Sequence, residues 1–240
     1  MRLDQFLFAS GMSTSRTDAK GLINDGLVLV NGKTVTKPSY DVSESDEVRL
    51  EDTSDRYVSR GGLKLACAMR AFSFDVADRL AIDIGASSGG FTDFLLRNGA
   101  KHVIAVDSGT NQLVPSLRSD GRVSVMENCN ARYLSIDQLE YTPELAVMDV
   151  SFISATYIIP ALYNVLKDGA DFICLIKPQF EVGRSNIGKG GIVKDEKVRL
   201  SAVTKVTDFA KSVGFRLVAT TRSDVVGGDG NIEFLAHFKK

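Results

Sequence analysis

The chain has 240 residues, 44% apolar and 25% charged, with 29 Lys and Arg against 30 Asp and Glu for a net charge of −1. That suits one sizeable globular α/β domain with something small in front of it. No apolar run approaches the ~18–20 residues of a membrane span, Asp4 interrupts the start where a secretory signal wants an unbroken apolar stretch, and the near-neutral charge leaves any nucleic-acid reading to rest on local patches. Three scattered cysteines and two histidines, without Cys/His spacing, argue for free thiols in a reducing cytoplasm and against a metal site.

Residues 1–50 read as a small α+β domain. Leu3, Phe6 and Leu7 line one face of a short helix that Gly11 ends. Ser13, Thr14 and Ser15 are cap candidates for a second helix carrying Ala19, Leu22 and Ile23 inward. After a turn at Asn24-Asp25-Gly26, Asn31-Gly32 sits between two β-rich runs, Leu27–Val30 and Lys33–Val35, which is a hairpin signal. Glu47–Leu50 reads as a last strand. The acidic stretch Glu51–Asp55 opens a linker taken as 51–60. The second domain, 61–240, follows a helical pattern over Tyr57–Phe74.

From residue 80 short apolar strands alternate with helices. Strands are expected at Leu80–Ile84, His102–Val106, Val123–Met126, Leu145–Asp149, Phe172–Ile176, Arg216–Thr221 and Ile232–Phe238. The clearest helix runs from about Glu196 to Val213, with Gly214 at its C-terminal cap position. Such alternation implies a mainly parallel, Rossmann-like sheet covered on both faces. The last two strands, joined by a short loop, should form an antiparallel pair.

The first of these strands ends in a glycine-rich turn, Asp83-Ile84-Gly85-Ala86-Ser87-Ser88-Gly89-Gly90-Phe91. A dinucleotide would prefer Gly-x-Gly-x-x-Gly, which Ala86-Ser87 breaks, and a nucleoside triphosphate would need Gly-Lys-Ser/Thr. S-adenosylmethionine carries no phosphate, and Asp83 could face its cationic part. Asp107, at the end of the second strand, is placed to accept hydrogen bonds from ribose hydroxyls. The bland alternative makes both aspartates caps or turn residues. Gly85-Ala86-Ser87-Ser88-Gly89 also fits a hydrolase nucleophile elbow with His237 as the late histidine, but no oxyanion segment precedes it. Strand ends put Asp149 and Lys177 at the same edge as the turn, and an antiparallel last strand brings Glu233 there. Lys64, from the helix ahead of the sheet, could reach over that edge. Each of the four could also be an ordinary surface charge.

The motifs DIGASSGGFTD, AVDSGTNQL, DVSFIS, IKPQFEVGR, GKGGIVKDE and GNIEFLAHFKK resemble the TlyA (hemolysin A) ribosomal RNA ribose 2′-O-methyltransferases of the FtsJ-like group. RLDQFLFASGMSTSRTDAKGLINDGLVLVNGK resembles the S4 RNA-binding domain that these proteins carry in front, and YVSRGGLKL the segment joining the two. The resemblance covers nearly the whole chain. It implies a catalytic set at Lys64, Asp149, Lys177 and Glu233, a cofactor turn over Asp83–Phe91 with Asp107 as ribose partner, S-adenosylmethionine as cofactor, and a cytidine 2′-hydroxyl in ribosomal RNA as substrate. Members with a longer, arginine-rich start act on both subunits, so the start at MRLDQFL favours large-subunit RNA. Residues 1–58 hold seven Lys/Arg against ten Asp/Glu, so RNA binding there would use one face, with Arg16, Lys20 and Lys33. Arg60 is a further candidate, as are Arg184 and Lys189 in a glycine-rich loop over 181–196, expected to act as a phosphate-contacting lid.

A free lysine titrates near ~10.4, so a lysine serving as base near neutrality needs a setting that favours its neutral form. Lys177 is the expected base, Lys64 a cation beside it, Asp149 its orienting partner and Glu233 the holder of Lys64. A non-catalytic ribosome-assembly factor on the same scaffold is the competing reading.

Overall fold

Apolar runs and capped helices build two units, Met1–Arg56 and Tyr57–Lys240. The computed structural model describes residues 1–13, 16–24, 26–50, 57–227 and 230–240, except for the side chain of Asp18. Thr14, Ser15, Asp25 and 51–56 of the expected cap, turn and linker lie outside the described residues.

In the first unit α1 (Leu3–Ala9) packs on α2 (Arg16–Asn24), and β1 (Val28–Val30) is central between β2 (Lys33–Thr34) and β3 (Val48–Leu50). The hairpin turn has φ 51° at Asn31 and 74° at Gly32, the doubly left-handed backbone whose twist suits a two-residue connection. Leu3, Leu7, Ala19, Ile23, Val28 and Val48 form its core. Asp4 is fully buried between Arg2, at 2.9 Å, and Arg16, at 3.2 Å. Those guanidinium hydrogen bonds, Arg2 first, hold its carboxyl down at about 2 against the opposing effect of burial. Arg16 is therefore shared with an internal partner, while Lys20 and Lys33 are exposed.

The second unit starts earlier than the sequence suggests. Residues 57–60, expected as linker, belong to it: the Tyr57 ring lies 5.4 Å from Phe94, and Ser59 caps α3 (Arg60–Phe72) by accepting from the Gly61 amide. There follow β4 (Leu80–Ile84), α4 (Gly90–Arg97), β5 (His102–Val106), α5 (Pro115–Arg118), β6 (Val123–Met126), β7 (Leu145–Met148), α6 (Ile159–Val165), β8 (Asp171–Ile176), α7 (Pro178–Glu181), α8 (Glu196–Val213), β9 (Arg216–Arg222) and β10 (Phe234–Lys239). The sheet runs β6-β5-β4-β7-β8-β10-β9. Only β10 is reversed, pairing antiparallel with both β8 and β9.

Because side chains alternate across a strand, each strand feeds two cores. Ile82, Ile104, Met148 and Phe172 meet α6 and α8 through Leu162 and Val206. Ala81, Val103, Val147 and Leu235 meet α3 and α4 through Leu65 and Phe94. The α3–α4 contact is close because the residues at it are small: a Cβ on Gly90 would run into Ser59 Oγ, and one on Gly62 into the Tyr57 ring. That packing sets the start of α3 over the start of α4, at the edge where the parallel strands end. No described helix is long and apolar enough to cross a membrane.

Candidate active site

Ligands of open parallel sheets bind beyond the carboxyl ends of the strands, and two adjoining cavities lie there. The larger, about 490 Å³, is lined by Gly85, Asp107, Gly109, Gln112, Asn130 and Ile158 among others. The smaller, about 160 Å³, runs from Gly85 past Ala86, Ser88, Gly90 and Phe91 to Lys177. Gly85, Ser87, Asp149 and Ser151 line both, so one elongated ligand can lie across the two. Gly85 makes the junction possible: φ is +83° and a Cβ would collide with the Asp149 carbonyl oxygen.

The turn residues divide by role. Asp107 organises the mouth of the larger cavity, accepting from the Ser87 amide at 2.8 Å and from the Gly109 amide at 2.7 Å. Gly89, left-handed with φ 102°, lines neither cavity and starts α4 instead. Asp83 also differs from expectation: it is fully buried and lines neither cavity, because the strand carries its side chain beneath the turn. There Oδ2 accepts from the Thr92 hydroxyl at 2.7 Å, and Oδ1 has no partner among the described residues, an oxygen that an ammonium or a bridging water can satisfy. Burial pushes the Asp83 carboxyl up to about 7 despite the Thr92 bond, with Asp149 adding to the rise.

The Asp83 environment has a measurable consequence. Its folded value lies above its ordinary 3.8, so the native protein keeps a proton that the unfolded chain releases, and stability falls as pH rises from about 4 to about 7. At ~1.4 kcal/mol per pH unit the contribution is on the order of 4 kcal/mol. Asp83→Asn should flatten that fall, read by urea unfolding at pH 5 and pH 8; an unchanged difference between the two would refute the assignment.

Four charged side chains meet as two ion pairs. Lys64 and Glu233, with side chains 9% and 2% exposed, pair at 2.5 Å. Lys177 Nζ lies 2.5 Å from Asp149 Oδ1 and donates to Ser151 Oγ at 2.8 Å. The β8–β10 ladder ends with Phe234 against Ile176, so Glu233 and Lys177 each lie one residue beyond its last rung, while Lys64 and Glu233 line neither cavity. Lys64 reaches Glu233 from the buried face of α3.

Several residues went unrecognised in the sequence. Asn130 lines the larger cavity from the turn after β6. Glu127 accepts from the consecutive amides of Asn111, Gln112 and Leu113 and from Arg118, and so holds the loop bearing Gly109 and Gln112. Burial alone would raise the Glu127 carboxyl, but those donors outweigh it and bring it to about 2. Phe152 is 92% exposed, takes a left-handed φ of 63° and meets the Phe180 ring, tilted at 50°, at a centroid distance of 5.2 Å. An aromatic ring held in solvent on a strained backbone marks a contact surface.

The remaining candidates lie apart. Arg60 donates to the Val226 carbonyl at 2.6 Å. Arg184 and Lys189 are exposed on the glycine-rich loop, which is fastened where buried Asn231 accepts from the Val193 amide and donates to the Gly191 carbonyl. His237 is buried in β10, bonded at 2.7 Å to Asp171 at the start of β8. That is the opposite edge from Ser87, so the two form no hydrolase pair. Among the described residues no cluster of His, Cys, Asp and Glu is placed to hold a metal.

An FtsJ-like methyltransferase model matches residues 57–240, and an S4 domain model matches residues 1–48. The chain is 42% identical to the 16S/23S rRNA (cytidine-2′-O)-methyltransferase TlyA of Mycobacterium tuberculosis, over 97% of this chain and 87% of the relative. It is 34% identical to the 23S rRNA (cytidine-2′-O)-methyltransferase TlyA of Campylobacter jejuni, over the full length of both. A solved Streptococcus thermophilus structure described as a hemolysin superposes with a TM-score of 0.80 at 46% identity, covering 100% of this chain and 88% of that one.

Proposed function

The chain belongs to the FtsJ-like methyltransferase family and carries an S4 domain in front; from that premise we propose that it methylates the 2′-hydroxyl of a cytidine in ribosomal RNA, using S-adenosylmethionine. The observation that carries the reading is the Lys177–Asp149 pair on the wall of the smaller cavity, with Asp149 shared by both cavities, beside a glycine turn open to an elongated ligand. Large-subunit RNA is the substrate common to the names of both relatives, and it is the favoured target here. A ribosomal substrate also puts the protein in the cytoplasm.

The residues fit the cofactor. Asp107 and Asn130 are hydrogen-bonding groups for an adenosine, with Val106, Ala131 and Ile158 as an apolar bed. Ser88 on the wall of the smaller cavity suits an amino-acid end, and the unpartnered Asp83 Oδ1 beneath the turn is available to its ammonium through a bridging water. S-adenosylmethionine supplies a methyl on a sulfonium, which departs as a neutral thioether. A ribose hydroxyl is a poor nucleophile, so the protein's task is alignment and removal of its proton. Lys177 Nζ is the group placed to take that proton, and Asp149 beside it would stabilise the ammonium that results. Ser151 accepts a second N–H and fixes where the lone pair points. Glu233 holds Lys64 as a buried cation next to them. Phe152 gives the target base a face to stack on.

Arg16, Lys20, Lys33 and Arg60, with Arg184 and Lys189, would supply phosphate contacts. Replacing Arg184 and Lys189 with Gln should weaken RNA binding and lower the slope of log affinity against log salt by about 1.5. A filter-binding series from 50 to 300 mM salt measures it, and an unchanged slope removes the loop from the interface. The function itself is tested by mapping 2′-O-methylation across both ribosomal RNAs in cells with and without the protein, paired with tritiated-methyl incorporation by the purified chain. A cytidine site lost in the deletion and restored in vitro supports it. Binding without methyl transfer favours the assembly-factor reading.

A further inference from the structure

Glu181 lies four residues past Lys177, at the end of α7, and it is buried. Its carboxylate serves another loop. Oε1 accepts from the Ala155 amide at 2.7 Å, and Oε2 accepts from the Ser154 hydroxyl at 2.5 Å. Lys205 of α8 closes the arrangement from the third side, donating to Oε2 at 3.2 Å and to the Glu181 carbonyl at 2.8 Å. Ser154 and Ala155 end the segment that begins at Asp149 and contains Ser151 and Phe152. The segment after β7 and the segment after β8 are thus joined twice: by Lys177 with Asp149 and Ser151 near the strand ends, and by Glu181 farther out. Between the joints lies the left-handed Phe152, its ring tilted against that of Phe180, next to Glu181. Such a backbone persists only where its surroundings over-determine it.

We propose that Glu181 is a positioning residue for methyl transfer: its buried carboxylate locks the Asp149–Ala155 segment against the Lys177 segment and so fixes Asp149 and Ser151 relative to the lysine amine. The proposal rests on the methyltransferase reading. Glu181 itself lines neither cavity, whereas Asp149–Ile153 of the segment it locks line the larger one; a small shift of that segment should cost the rate, which depends on the geometry of proton removal, far more than cofactor affinity. A displacement of about 1 Å at a reacting group can cost ~10²-fold in rate.

The test uses the full chain with Glu181→Ala, Glu181→Gln and Ser154→Ala. Expected for Glu181→Ala is a kcat lowered about 50-fold in tritiated-methyl transfer to ribosomal RNA, with cofactor and RNA dissociation constants within about twofold of wild type. Glu181→Gln, which keeps one oxygen for the Ala155 amide, should recover most of the rate. Ser154→Ala should lose about fivefold in kcat alone. Hydrogen exchange gives a readout independent of activity: the Ala155 amide and its neighbours should exchange faster in Glu181→Ala while α4 and β5 do not. Unchanged kcat in Glu181→Ala and Ser154→Ala overturns the proposal, as does a cofactor affinity falling in step with the rate. If Glu181→Ala does not fold, Ser154→Ala decides by the same criteria. A wild-type chain that transfers no methyl group overturns the enzyme reading itself, and the exchange pattern then reports the joint separately.

Discussion

Lys177→Ala should reduce methyl transfer by about 10³-fold, within the range seen for loss of a positioned acid or base, and leave cofactor affinity within about twofold. Lys177 lines only the smaller cavity, whereas Asp107 and Asn130 line only the larger one, which is why binding should survive. The more telling variant is Lys177→Arg. It keeps a cation beside Asp149 but cannot give up a proton at any working pH. If Lys177 serves as base, Arg should be as inactive as Ala. If its role were only to hold Asp149 or attract the RNA, Arg would retain a large part of the rate. Single-turnover methyl transfer with saturating cofactor separates the cases, and substantial activity in Lys177→Arg sinks the base assignment.

The second large effect concerns the pair behind it. Glu233→Ala leaves the Lys64 ammonium buried beneath α3 without its carboxylate. Breaking one side of a buried ion pair typically costs ~3–5 kcal/mol, which for a unit of this size lowers the melting temperature by roughly 10 °C. The double variant Lys64→Met with Glu233→Leu removes both charges and restores apolar packing, so its stability should return close to wild type. Its activity should not return if the pair serves the reaction proposed above as well as the fold. A thermal melt and a methyl-transfer assay on the three proteins measure the two outcomes. A fully active double variant would show that Lys64 and Glu233 serve the fold alone.

How far the sequence could be read follows from the range of the interactions involved. Strands such as Leu145–Met148 and Phe172–Ile176 stand out because an unbroken apolar run between polar turns has no other way to bury both faces. The Asn31-Gly32 turn and the Gly214 cap are equally local signals. Asp149, Lys177 and Asp107 are legible because a charge straight after such a run must sit at the strand end. Glu181, Glu127 and Asn231 are not, since each acts by reaching a loop distant in sequence: Glu181 touches Ser154, Glu127 touches Asn111 and Asn231 touches Val193. Asp83 is legible only in part, for the complementary reason. Spacing places it at the turn, but only the pleat decides that its carboxyl points under the turn, toward Thr92. Residues 57–60 were given to the linker because a capping serine and one aromatic ring carry no period.

The reversed strand has a consequence for assembly. Lys64 belongs to the first helix of its unit, and its carboxylate partner comes 169 residues later, immediately before β10. β10 slots between β8 and β9 as the last addition. A chain halted ahead of that insertion can already have the glycine turn and the cavities beside it, yet the Lys64 amine would find no counterion. Competence for chemistry should therefore arrive in one step with the final segment, later than competence to hold the methyl donor, and a partly made molecule would be a binder before it is a catalyst.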